Sequence, residues 1–364
     1  MKKSILFIAD HIAKEGTSKM VKYLANGLAN WDEFEVGILL FRNIIEDFGE
    51  GISNKVHLHT LEIEGSSKGH LLKIMKSITT IKPDILFVSF TQHMPYMAII
   101  GSFFKLIGIK VIYRETIIPS LYRVNFSKHK KKLFGFLYNS YNKIIAQSQD
   151  MRDDLINNWY VKKERIYVIN NPIKVKRDIT IPTVEGKLDP LGCIKFVAVG
   201  RLENQKGYDI LLKRMSEMPR EDLFNVDILG EGSLFDSLNE QILEYNLQDH
   251  VRLVGFKKDT LSYMLNANGL ILPSRYEGFP NVVLEANSIG LPVFANTCPG
   301  GINEIIVDGR NGVACNFNSI SDFIEGYNKF KSINFDGNAI VDMTELRYGY
   351  DNILAKYKDL FKTL

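Results

Sequence analysis

Short runs that are apolar almost without a break, each followed by a helical pattern, constrain this chain more than any other feature. In the first half they fall at 4–9, 36–41, 56–61, 85–90, 110–113 and 144–147, with helical patterns at 18–30, 69–81, 95–106 and 150–158. A strand with one wet face alternates apolar and polar residues, whereas a run apolar throughout needs cover on both faces. Parallel strands joined by helices provide that cover, so residues 1–172 predict a doubly wound parallel sheet of the α/β class. The pattern then repeats. Runs at 194–199, 224–229, 251–254, 269–272, 292–294 and 313–315, with helices at 208–218, 233–245, 260–266 and 282–288, predict a second such sheet.

A chain of 364 residues exceeds what one core usually takes, so two domains are expected. Asn170, Asn171 and Pro172 close the first, and the polar, proline-bearing stretch 173–192 reads as the linker. The second domain spans 193–343. Residues 344–364 read as a closing helix, with Leu346, Tyr350, Ile353, Tyr357 and Leu360 at helical spacing. A net charge of +3 is too mild to argue for nucleic acid. Cys193, Cys298 and Cys315 show neither paired nor metal-ligand spacing and fit a reducing compartment. The first apolar run stops at Asp10, too soon for a signal peptide, and no stretch approaches the ~20 apolar residues of a spanning helix. These readings predict a cytoplasmic protein, free or resting on a membrane face.

Residues 275–306 hold the densest chemistry. After the run GLILPS, the residues Glu277, Gly278, Phe279, Pro280 and Asn281 form a short loop before a helix. Glu285 lies one turn into that helix, inside the apolar run VVLEA, where a carboxylate without a partner is costly. Both glutamates can face the crevice at the end of the strand, where helical amides favour an anion; the plainer reading is a loop residue and a solvated helix face. Gly300 and Gly301 make a second strand-to-helix turn. Upstream, in GRLENQKG, Gly200, Arg201 and Lys206 form another. Two fixed cations there would offset charge developing on a leaving diphosphate. The chain has no Asp-x-Asp pair, so no metal is expected.

The segments GRLENQKG, E-GFPNVVL-E and CPGGINEII, in that order and spacing, resemble the donor site of the family 4 retaining glycosyltransferases, which have the GT-B fold. The resemblance implies two Rossmann-like domains facing across a cleft, with the donor on the second and the acceptor mainly on the first. It also implies that the final helix returns to the first domain. The donor is then a nucleotide-diphosphate sugar, UDP-linked in preference to GDP-linked, with no further cofactor. Arg201 and Lys206 would hold the diphosphate, Glu285 the ribose diol, and Glu277 with the Phe279 and Asn281 amides the sugar. Gly200, Gly278, Pro280, Gly300 and Gly301 would shape the loops, and Gly230 the turn beside the nucleotide. Gly16 stands in the family's first loop, which usually carries two glycines; its neighbours serve equally well as a helix cap. His93 matches a histidine that contacts the transferred sugar, or it merely precedes a helix. Arg114 and Glu115 would orient the acceptor or pair with each other. The same cleft could serve a nucleotide-sugar epimerase or hydrolase, or a non-catalytic nucleotide-sugar-binding subunit.

The acceptor reading rests on residues 123–143. Arg123, Lys128, Lys130, Lys131, Lys132 and Lys143 alternate there with Phe126, Leu133, Phe134, Phe136, Leu137 and Tyr138. Cations beside aromatic bulk suit an anionic membrane surface, and a packed helix with solvated lysines is the competing account. Lys73, Lys76 and Lys82 form a second basic cluster in the same domain. A saccharide carried on polyprenyl diphosphate is the acceptor these features favour.

Overall fold

The computed structural model describes residues 2–9, 16–41, 51–61, 69–89, 94–179 and 193–364. The chain divides into two compact units, Met1–Asn171 with Asp351–Leu364, and Pro172–Tyr350.

The first unit opens with β1 (Lys3–Ala9), α1 (Gly16–Leu28), β2 (Phe34–Leu40), β3 (Val56–Thr60) and α2 (Gly69–Ile81). There follow β4 (Ile85–Val88), α3 (Met94–Leu106), β5 (Lys110–Arg114), α4 (Pro119–Tyr122), α5 (Lys128–Tyr138), β6 (Lys143–Ala146), α6 (Gln149–Trp159) and β7 (Ile166–Val168). The strands run in the order β3-β2-β1-β4-β5-β6-β7, and all their pairings are parallel. The central strands β1 and β4 are buried along nearly their whole length, as uninterrupted apolar runs require.

In the second unit β8 (Lys195–Val199), α7 (Tyr208–Ser216), β9 (Asn225–Leu229), α8 (Phe235–Glu244), β10 (Val251–Gly255) and α9 (Thr260–Leu265) come first. Next are β11 (Gly269–Leu272), α10 (Asn281–Asn287), β12 (Val293–Asn296), α11 (Ile302–Ile305), β13 (Gly312–Cys315), α12 (Ile320–Ser332) and α13 (Gly337–Tyr348). The sheet order is β10-β9-β8-β11-β12-β13, again parallel throughout. One face is filled by aromatic rings. Phe196 of β8, Phe294 of β12 and Phe224, just before β9, meet Phe323, Tyr327 and Phe330 of α12 at centroid distances of 5.0 to 6.5 Å. Helix α12 is not among those expected from sequence, although Phe323, Tyr327 and Phe330 recur at helical spacing and Ser319 caps its first turn.

The closing segment is two helices, not one from residue 344. Gly349 adopts an extended conformation and breaks α13 from α14 (Tyr350–Lys362). Thr344 and Tyr348 are buried in the second unit, whereas Tyr357 and Phe361 pack on Phe87 of β4 in the first. Residues 172–179 likewise belong to the second unit, tied to it by Ile173 N donating to Tyr348 O at 2.9 Å; 180–192 lie outside the described residues.

Candidate active site

Two of the loops singled out from the sequence leave adjacent strands, β8 and β11, where the order of the second sheet reverses. Loops diverge from such a point in opposite directions, and a crevice opens beyond the carboxyl ends of the strands.

The loop after β8 is stitched to the turn after β9. Gly200 N donates to Leu229 O (3.0 Å) and Leu202 N to Glu231 O (2.8 Å). Gly230 sits at φ +149°, and a Cβ there would lie 1.9 Å from Gly200 O. Only glycine lets these backbones close up. Lys206 ends a single 3₁₀ turn, Asn204–Lys206, immediately before α7. Arg201 is exposed, its guanidinium 3.5 Å from Gln205 Oε1.

Gln205 joins this loop to the one after β11, donating to Tyr276 O at 3.1 Å and accepting from Arg275 N at 2.8 Å. Arg275 forks onto Asp209 of α7 at 2.7 and 2.6 Å. Burial opposes the charge on Asp209, but the fork outweighs it and holds the carboxyl below its ordinary range. Between the loops lies a buried ion pair. Lys206 Nζ donates to Glu277 Oε1 at 2.7 Å, with the two side chains only 15% and 8% exposed. The same oxygen accepts from Ser274 Oγ at 2.7 Å. Ser274 O in turn accepts from Asn296 Nδ2 at 3.0 Å, and Asn296 Oδ1 from Phe317 N at 2.9 Å. A carboxylate and an ammonium this far from water persist because each compensates the other. Tyr208 lies behind them; burial and the Glu277 charge both push its hydroxyl upward, so it stays protonated.

The second glycine turn is zipped onto Glu277. Glu277 N donates to Pro299 O (3.0 Å) and Gly301 N to Gly278 O (3.1 Å). Gly300, at φ +123°, would place a Cβ 2.1 Å from Glu277 O, so a side chain there would displace the acidic loop. Phe279 turns its ring inward against Tyr348, 5.5 Å away, which leaves its backbone as the part that can meet a ligand. Pro280 precedes α10, Asn281 begins it, and Glu285 follows one turn later, half-buried between the buried Leu284 and Ala286.

The structure thus joins Lys206 directly to Glu277, and Gly200, Gly230, Gly278, Gly300 and Gly301 through backbone contacts. Arg201 stands exposed beside this centre next to Gln205, and Glu285 is half-buried one turn into α10. Gly16 opens α1 in the first unit, and His93 lies outside the described residues. Arg114 is buried and directs its guanidinium to Ser89 and Asn171. Glu115, also buried, accepts from the Tyr138 hydroxyl and the Thr116 amide. These partners lie within the first unit. Ser274, Asn296, Tyr208 and the Arg275–Asp209 fork were not anticipated. Ser274 and Asn296 each follow an apolar run at the ligand end of a strand, which was the available signal.

The family profile described as glycosyl transferases group 1 matches residues 187–340, and that of glycosyltransferase family 4 matches residues 15–177. An N-acetylgalactosamine-N,N'-diacetylbacillosaminyl-diphospho-undecaprenol 4-alpha-N-acetylgalactosaminyltransferase of Campylobacter jejuni is 26% identical over 74% of this chain and 75% of its own. A lipopolysaccharide 1,6-galactosyltransferase of Salmonella typhimurium is 28% identical over 55% of each chain. For two uncharacterized glycosyltransferases of Methanocaldococcus jannaschii and one of Haemophilus influenzae, the match spans 60%, 50% and 44% of the relative's length. The crystal structure of HepE from Anabaena with UDP and glucose superposes with a TM-score of 0.76 over 100% of both chains at 20% identity, which shows a shared fold.

Proposed function

Because the chain belongs to the group 1, family 4 glycosyltransferases, we propose that it moves a sugar from a UDP-linked donor to a lipid-linked saccharide, with retention at the anomeric carbon. The observation that carries the proposal is the buried Lys206–Glu277 pair, held by Ser274 between two glycine turns at the switch point of the second sheet. An ammonium has three donors. Lys206 can therefore keep Glu277 in place with one and offer the others to a diphosphate. Arg201, exposed on the same loop, adds a second cation. Together they stabilise the charge that builds on the leaving diphosphate, which lets the chemistry proceed without a metal. Glu277 keeps a second carboxylate oxygen for sugar hydroxyls, and Glu285 supplies two acceptors for the ribose diol. The UDP preference draws on the UDP bound in the HepE structure, and the lipid-linked acceptor on the diphospho-undecaprenol substrate in the name of the Campylobacter relative.

Incubation of the purified protein with several nucleotide sugars tests the reaction. Free nucleoside diphosphate should appear with one donor and rise sharply when a lipid-linked acceptor is added. Calorimetry tests the division of labour. Glu285→Ala should weaken binding of bare UDP about tenfold, as loss of one charge-assisted hydrogen bond does. Glu277→Gln should leave UDP binding within about twofold and weaken only the sugar-bearing donor. Normal UDP affinity in both variants would overturn these assignments.

A further inference from the structure

The solvent side of α3 is largely apolar, interrupted by Ser102 and the half-buried Lys105. Tyr96 (59% exposed), Ile99 (64%), Phe103 (42%) and Leu106 (86%) recur every three or four residues along it. Met94, Met97, Ala98, Ile100, Gly101 and Phe104 fill the opposite side. A helix laid on a sheet ordinarily shows water a polar stripe, so this one is built to be covered by something else.

Its neighbour α5 continues the surface. Ser140, just past the end of α5, donates to Ala98 O of α3 at 3.2 Å, and Tyr141 to Met94 O at 2.7 Å. Leu133 (58%) and Phe136 (73%) stand exposed on α5, together with Lys128, Lys130 and Lys132. The rest of the aromatic bulk in 123–143 is used internally: Phe126 and Phe134 pack on Trp159 at 5.9 and 6.1 Å. Arg123 is buried, donates to the Tyr138 hydroxyl at 3.3 Å, and cannot face a membrane as its sequence position suggested. Negative charge is absent from the sequences of α3 and α5 themselves, while the neighbouring α6 carries Asp150, Asp153 and Asp154. Between Asp84 and Asp150 the sequence contains nine lysines and arginines and a single acidic residue, the buried Glu115.

We propose that the exposed sides of α3 and α5 form a docking surface for an anionic phospholipid bilayer, with the α3 stripe entering the headgroup layer and the α5 lysines resting on the phosphates. A row of large apolar side chains beside exposed cations matches the boundary between acyl chains and anionic headgroups. A second copy of the chain is the competing occupant, and the exposed cations beside the stripe complement an anionic surface better than another cationic one. The inference deepens the lipid-linked acceptor reading but is tested apart from it, because binding to vesicles requires neither donor nor acceptor.

Sedimentation with vesicles of phosphatidylcholine alone, or with 30% phosphatidylglycerol (about one lipid in three, enough to give an anionic leaflet), measures the association. The parent protein should bind the anionic vesicles and lose binding at high salt. Replacing Lys128, Lys130 and Lys132 by Ser should weaken it on the order of 100-fold. The Ile99→Ser, Phe103→Ser, Leu106→Ser variant should lose it at every salt concentration while keeping its circular dichroism. Should that variant fail to fold, Ile99→Trp serves instead, and the emission of its added indole should be quenched by brominated phosphatidylglycerol. Absence of binding by the parent would overturn the proposal, as would binding unaffected by the α3 substitutions or an Ile99→Trp emission untouched by bromolipid. So would a dimer in sedimentation velocity that the α3 substitutions dissolve.

Discussion

Lys206 and Arg201 share a loop and a charge, and burial separates what each does. Lys206 is enclosed and bound to the buried Glu277, whereas Arg201 is exposed beside Gln205. Removing one partner of a buried pair leaves the other uncompensated, at a cost of about 3 kcal/mol. Lys206→Ala should therefore lower both turnover and stability, while Arg201→Ala lowers turnover alone. Each loss of a charge-stabilising group should reduce kcat by about 10² to 10³. Urea denaturation beside steady-state assays checks both, and turnover within threefold of the parent in either variant would remove that residue from the mechanism. Reading the two cations from GRLENQKG treated them as equivalent. Nothing local distinguishes them, because the partner that buries Lys206 lies 71 residues away.

At the scale of elements, α14 is held to the first unit by rings and by charge. Tyr357 and Phe361 pack on Phe87, and Phe361 also meets Phe34 edge-on at 6.4 Å. Lys3 Nζ donates to the last carbonyls of the helix, Phe361 O at 3.1 Å and Lys362 O at 2.9 Å, where a cation also complements the helix dipole. Glu33 accepts from Lys362 at 2.9 Å and pairs with Lys358 at 3.0 Å; the hydrogen bonds from these lysines lower its pKa from 4.5 to about 2. A carboxyl depressed on folding stabilises the fold above its unfolded value and loses that contribution as pH falls through its folded value. Glu33→Gln should thus melt at a lower temperature than the parent at pH 7 in low salt. The difference should shrink between about pH 4.5 and pH 2, and added salt should narrow it because the pair is exposed. An equal difference in melting temperature at pH 7 and pH 2 would show that Glu33 acts by packing. Helical spacing in Ile353, Tyr357 and Leu360 made α14 legible. Its true start was not, since Gly349 interrupts a run whose residues on both sides favour helix.

For the molecule as a whole, the proposal of transfer without a metal has a direct check. If Lys206 and Arg201 meet the diphosphate as proposed, their charges make a metal unnecessary there. Transfer in excess EDTA should keep most of its rate. Loss in chelator restored by magnesium or manganese would reject protein cations as sufficient. Among the described residues no helix is long and apolar enough to cross a membrane.

The sequence by itself determined the two parallel sheets and the glycine turns in the segments GRLENQKG and CPGGINEII. Burial on both faces and the period of helices are written into neighbouring residues, and the glycines stand where backbones must approach closely. Which side chains meet was decided only in the tertiary structure. Lys206 reaches Glu277, 71 residues away, because β8 and β11 are neighbours in the sheet, and Asn296 reaches Ser274 O because β12 lies beside β11. Arg123 turns from an apparent surface charge into a core group because Trp159, Phe134 and Tyr138 close around it. Conversely, the apolar side of α3 reads as core in sequence, because hydrophobicity alone does not record whether a second layer covers it. Local pattern fixes the period and the face of an element; pairing across long separations depends on how those faces stack.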